Sequence, residues 1–144
     1  MIRTIVLAAI CAVFLAAPAH ARNTEQFYDI QSAVENGKGN ANLLDVPYYF
    51  IGQKAPSAAK TIGTWSSNRS TSGAFRGDEE SCQIAFLSAL IQLQKRAQAE
   101  GGNAIINIRS ITRGTKTESA TQYRCVAGAM IVHVGLEGTV IKKK

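Results

Sequence analysis

Between residues 78 and 100 the apolar positions fall at Cys82, Phe86, Ala89, Leu90, Leu93 and Ala97. Steps of three and four place them on one face of a helix. Asp78, Glu79 and Glu80 stand at its start, where carboxylates meet the positive end of the macrodipole, and Asp78 is the expected cap. Lys95 and Arg96 lie near the negative end, and Gly101-Gly102 supplies a C-terminal stop. Ile84, Leu87 and Ile91 widen the apolar stripe, so its flanks pack or meet a partner.

Elsewhere the pattern reads as strands and connectors. Residues 46–52, VPYYFIG, are aromatic and β-branched, with Pro47 marking a strand start or a sheet edge. Residues 61–66, TIGTWS, are a weaker strand. Residues 104–112, AIINIRSIT, put Ile106 and Ile108 on one face and Asn107 and Arg109 on the other. Residues 121–134 read as one longer strand and 138–141 as a short final one. Residues 67–77, SNRSTSGAFRG, read as a loop, and 113–120 as a polar turn. Residues 22–45 are polar and read as a flexible N-terminal arm with a short turn near 29–34; residues 142–144 are a basic tail. The expected architecture is a single α+β domain over residues 46–141: one long helix packed on an antiparallel sheet of about four strands.

The first 21 residues follow another pattern. Arg3 gives a basic start, residues 5–17 are an unbroken apolar run, Pro18 breaks it, and Ala19-His20-Ala21 forms an A-x-A cleavage site. This is the layout of a signal peptide. The run is shorter than the roughly 20 residues that span a bilayer. Cys11 lies inside the run behind the bulky Ile10, which argues against lipid attachment. The expectation is an exported chain beginning at Arg22, periplasmic or secreted, with no stable membrane insertion after cleavage.

Removal of that segment changes the cysteine count. The 144-residue chain has 3 cysteines, and Cys82 and Cys125 remain after cleavage. An even pair in an oxidising compartment points to a disulfide, with two buried free thiols as the alternative. The layout supports the bond. A helix of about 22 residues is roughly 33 Å long; a strand of about 9 residues returns roughly 30 Å along it. The strand that turns back again starts near Cys82, and Cys125 lies there. Two cysteines and His133 do not complete a four-ligand zinc set, so no metal and no other cofactor is expected.

Little chemistry of catalysis is visible. His133 stands in an apolar strand, with Glu137 the nearest carboxylate in sequence; it reads as a strand imidazole rather than a base. Glu79 and Glu80 diverge on adjacent helix positions and serve the helix end. A free Cys82 at a helix N-terminus would have a lowered thiol pKa, which keeps a thiol-redox or small-ligand enzyme as the alternative. Arg69 and Arg76 could contact an anion at a ligand lip in the 67–77 loop, although a solvated connector explains them as well. Trp65, Tyr48, Tyr49 and Phe50 suit either a ligand groove or a small core. The chain is 46% hydrophobic and 18% charged with formal net charge +6. That length excludes a multidomain enzyme. The basic residues are scattered, without the aromatic interleaving that nucleic-acid binding uses.

The helix ending in Ala97-Gln98-Ala99-Glu100, the Gly101-Gly102-Asn103-Ala104 turn and the strand that follows resemble small bacterial α+β domains. These include the YbjQ-like "heavy-metal-binding" domain and the sensor domain of the Rcs envelope-stress lipoprotein. Ile62-Gly63-Thr64-Trp65 matches the strand before the helix. A nearer likeness is to short exported bacterial proteins labelled "excinuclease ATPase subunit", carried by Asp78-Glu79, Cys82 with Ala85, and Tyr123, Cys125, Ala127 and Gly128. The chain contains no G-x-x-x-x-G-K-[ST] phosphate loop, so that label does not describe its chemistry. Together these readings give an exported, non-enzymatic envelope protein that acts as a binding or sensing module, with a protein of the envelope as partner.

Overall fold

A computed structural model describes residues 22–144. The expected signal peptide, residues 1–21, lies outside the described residues. The sheet is organised around β6, Ile131–Lys143, whose Val132, Val134, Leu136 and Val140 are buried. The strand β3, Ala58–Ser72, runs antiparallel to it along its full length, from Ser72 opposite Ile131 to Ala58 opposite Lys143. On the other side β6 meets β5, Gln122–Gly128, at its start and β4, Ala104–Ser110, over its second half. β1, Asn23–Asp29, adds antiparallel to β5, and β2, Tyr48–Phe50, adds parallel to β4. The long helix is α2, Asp78–Ala99, and it packs against β3, β4, β5 and β6. A short helix, α1, Ile30–Asn36, follows β1 directly.

The expected α+β architecture of one long helix on about four antiparallel strands is thereby corrected. The sheet is six-stranded, mixed and curled, and there are two helices among the described residues. The flexible arm over 22–45 is also overturned. β1 shows solvent to most of its residues, so it carries no apolar alternation to read. It is held by its ladder with β5 and by Arg124, which is 7% exposed and pairs with Glu25 at 3.0 Å.

Further corrections share a physical cause: polar strands look like loops. Residues 67–72, expected in a loop, complete β3. They are all polar, and only Ser67 among them is buried, so no apolar alternation marks the strand. The long strand expected over 121–134 breaks at Ala129-Met130, where β5 turns into β6. The separate strand at 138–141 is part of β6. So is most of the basic tail: Lys142 and Lys143 pair with Lys60 and Ala58, and the Lys144 N–H donates to the Ser57 carbonyl.

In β4 the expected face of Ile106 and Ile108 is wrong by a bulge. Asn107 takes a positive φ of 52°, and the register slips between Ile106 and Arg109. The bulge puts Ile105 and Ile108, both fully buried, on the core side. The helix reading holds for its apolar stripe, since Cys82, Phe86, Ala89, Leu90, Leu93 and Ala97 are all buried. Its cap is different. Gly77 is the N-cap without a side-chain bond, and the Asp78 carboxylate instead receives Arg22 and, at 3.2 Å, Gln26. The helix start is thus tied to β1. At the other end Gly101 N–H and Gly102 N–H donate to the Gln98 and Ala97 carbonyls, the expected glycine stop.

Candidate functional site

Cys82 lies at the start of the second turn of α2 and Cys125 in the middle of β5. Their sulfurs are bonded, with Cα atoms 6.0 Å apart, and both residues are fully buried. β5 reaches the helix start by a route other than the one the sequence suggested: β4 and β5 both run antiparallel to β6, so β5 continues in the direction of β4 toward the start of β6 instead of turning back.

A groove of about 550 Å³ lies between β3 and α2. Trp65, Ser67 and Arg69 lie opposite Gly138, Leu136 and Val134 of β6. Cross-strand neighbours share a face, so these three point toward α2. On α2, Gln92, Lys95, Arg96 and Ala99 line the facing wall. Gln92, Lys95 and Arg96, at i, i+3 and i+4, make a second, polar stripe beside the apolar one, with the small Ala99 at i+7. Ser67 is 7% exposed, and its Oγ has no hydrogen-bond partner among the described residues. Arg96 lies 5.9 Å over the Trp65 ring and pairs with Glu100 at 3.2 Å. Arg69 and Lys95 meet no carboxylate within 4.0 Å among the described residues.

No family model matches the chain. No curated protein matches it either. Among solved structures, the chain is similar to a DUF74-family protein of unknown function from Pediococcus pentosaceus. The likeness has a TM-score of 0.48 and 16% identity, and covers 67% of this chain and 98% of that one.

The structure separates the two arginines that the sequence grouped. Arg69 reaches the groove; Arg76 follows β3 in the 73–77 turn and does not line it. His133 Nδ1 is 2.7 Å from Ser70 Oγ, across the β3–β6 ladder. No carboxylate among the described residues bonds this imidazole, so the pair lacks the orienting group of a triad. Glu137 pairs instead with Arg109, 3.8 Å away. Glu80 pairs with Lys38 at 2.7 Å, and that hydrogen-bonded ammonium holds its carboxyl below the usual range. Glu79 is exposed.

The four aromatics do not form one groove. Phe50 is core, with its ring 6.0 Å from that of Phe86. Tyr48 edges a separate hollow of about 300 Å³ beside α1. Tyr49 is half-buried, and Trp65 lies under Arg96. Among the described residues no three His, Cys, Asp or Glu side chains gather as metal ligands, and no helix is long and apolar enough to cross a membrane.

Of the residues lining the groove, the sequence singled out only Arg69 as an anion contact. Lys95 and Arg96 were read only as charges suited to a helix end, and Ser67 as part of a loop. The available signal was the polar spacing at 92, 95 and 96, which an apolar-stripe search passes over.

Proposed function

We propose that this protein is an exported binding module of the bacterial envelope, working without a catalytic centre. The observation that carries the reading is the buried Cys82–Cys125 bond, because such bonds persist in oxidising compartments. The A-x-A layout of residues 1–21 supports the same compartment. The open groove between β3 and α2 supplies a surface for a ligand or partner. Burial of both sulfurs counts against the thiol-redox alternative, since an exchanging cysteine must be reached by its substrate.

The test is fractionation of cells making the full chain, followed by intact mass and thiol titration of the product. The expected product lies outside the cytoplasm, begins at Arg22 and has no titratable thiol until denatured and reduced. A full-length cytoplasmic product with free thiols overturns the proposal. An insulin-reduction assay separates the alternative: turnover that disappears in Cys82→Ala would establish redox chemistry.

A further inference from the structure

We infer that the groove between β3 and α2 binds the phosphate group of an anionic ligand, through Arg69, Lys95 and Arg96 with Ser67 Oγ as donor. The inference deepens the binding-module reading by naming the ligand's chemical class.

Four features of the groove converge on an anion. First, its two walls belong to different elements, each set by a regular period: Ser67 and Arg69 alternate along β3, and Lys95 and Arg96 recur along α2. Cations on both walls can hold one anion between them. Second, the lining has no carboxylate, while Arg69 and Lys95 meet none within 4.0 Å among the described residues. Glu100, which pairs with Arg96, stands outside the lining and leaves the groove net positive.

Third, Arg96 is pre-positioned by its place over Trp65. A guanidinium held in one plane loses less freedom when it forks onto two phosphate oxygens. Fourth, Ser67 is more than nine-tenths buried and its hydroxyl is unpaired. Buried hydroxyls are almost always satisfied, and this one is itself closed off from solvent, so it meets an acceptor on the ligand only as a neighbouring side chain shifts on binding. Gln92 adds an amide donor on the helix wall. The negative end of α2 opposes an anion, but that effect falls off within the last turn and the cations outweigh it.

Phosphate could reach the groove as a soluble ester or as a lipid headgroup, and the experiment distinguishes them. The disulfide-bonded protein is titrated with inorganic pyrophosphate while backbone amide shifts are followed. Saturable shifts are expected at Ser67, Arg69, Lys95 and Arg96, with affinity falling about 10-fold between low and moderate salt. Arg69→Ala and Lys95→Ala, both at exposed positions, should each weaken binding about 10-fold. Ser67→Ala should weaken it about 5-fold without lowering the melting temperature. Lys54→Ala, at an exposed basic residue outside the groove lining, should change nothing. In a second arm, phosphatidylglycerol vesicles are sedimented with the protein. Co-sedimentation lost in Arg69→Ala assigns a headgroup; pyrophosphate binding without it assigns a soluble phosphate.

Absence of saturation by about 10 mM, shifts centred elsewhere, or a Lys54→Ala loss equal to that of Arg69→Ala would overturn the site. None of these outcomes bears on export, which is read from the N-terminal mass.

Discussion

The ring of Phe86 stacks on that of Tyr123, with centroids 4.1 Å apart and planes inclined by 16°. Cys82 is one helical turn before Phe86, and Cys125 is one pleat beyond Tyr123. The ring stack and the disulfide are therefore two rungs between α2 and β5. The bond spans 43 residues of sequence, which corresponds to about 4 kcal/mol of loop entropy in the unfolded chain. Reduction should lower the melting temperature by on the order of 10 °C. Cys82→Ala, Cys125→Ala and the double variant should be nearly equal, because each removes the same crosslink. Additive losses in chemical denaturation would show that the bond is not what links them.

Tyr123 is fully buried and its hydroxyl has no partner among the described residues. Burial pushes its phenol far above the ordinary value, helped by neighbouring Tyr28, Glu79 and Asp29. Above about pH 10 the unfolded chain loses a proton that the folded chain keeps. Stability should thus be present below pH 10 and fall as pH rises beyond it. Tyr123→Phe should leave stability at pH 7 unchanged or raise it by about 1 kcal/mol, and should flatten the alkaline limb. Thermal melts from pH 7 to 11 read both effects. Some slope will remain, since burial also raises Tyr28 and Tyr48.

The long helix, its glycine stop and the cysteine pairing were legible in the sequence because each leaves a strong local mark. The apolar stripe repeats through six buried positions, and Gly101-Gly102 closes it without ambiguity. The sheet was far less legible. β1 has one pleat-face in water and the other only half covered, and β3 fills its ladder with Ser and Thr. Neither shows the alternation on which strand reading depends. The Asn107 bulge then inverts the inward face of β4, something no period of two can announce. The groove was invisible for a related reason: its walls meet only once β3 is known to be a strand.

Gln94 is fully buried and bridges α2 to the segment before β2. Its Oε1 accepts the Leu44 N–H at 2.9 Å, and its Nε2 donates to the carbonyls of Leu44 and Val46, both at 2.9 Å. Gln94→Leu would leave three backbone groups without partners. A loss of about 3 kcal/mol is expected in urea unfolding, with faster hydrogen exchange at the Leu44 amide. Unchanged exchange there would show that the segment is held by other contacts.

Gly101 and Gly102 should tolerate alanine differently. Gly101 has φ +77° with open space around it, so alanine there costs only the left-handed conformation, about 1 kcal/mol. A Cβ on Gly102 would lie 2.2 Å from Val140 Cγ1 and 3.1 Å from the Ile141 carbonyl oxygen. Val140 is fully buried and cannot swing away. Gly102→Ala should therefore be the more damaging, at about 1–3 kcal/mol. Denaturant midpoints of the two variants give the order, and the reverse order would mean that β6 yields.

β6 joins β3, β4 and β5, yet it follows all of them along the chain. During synthesis the earlier strands emerge with no central neighbour, and the sheet waits for Ile131–Lys143. Three of the five strand pairings, those of β6 with β3, β4 and β5, are thus postponed until β6 itself has been made.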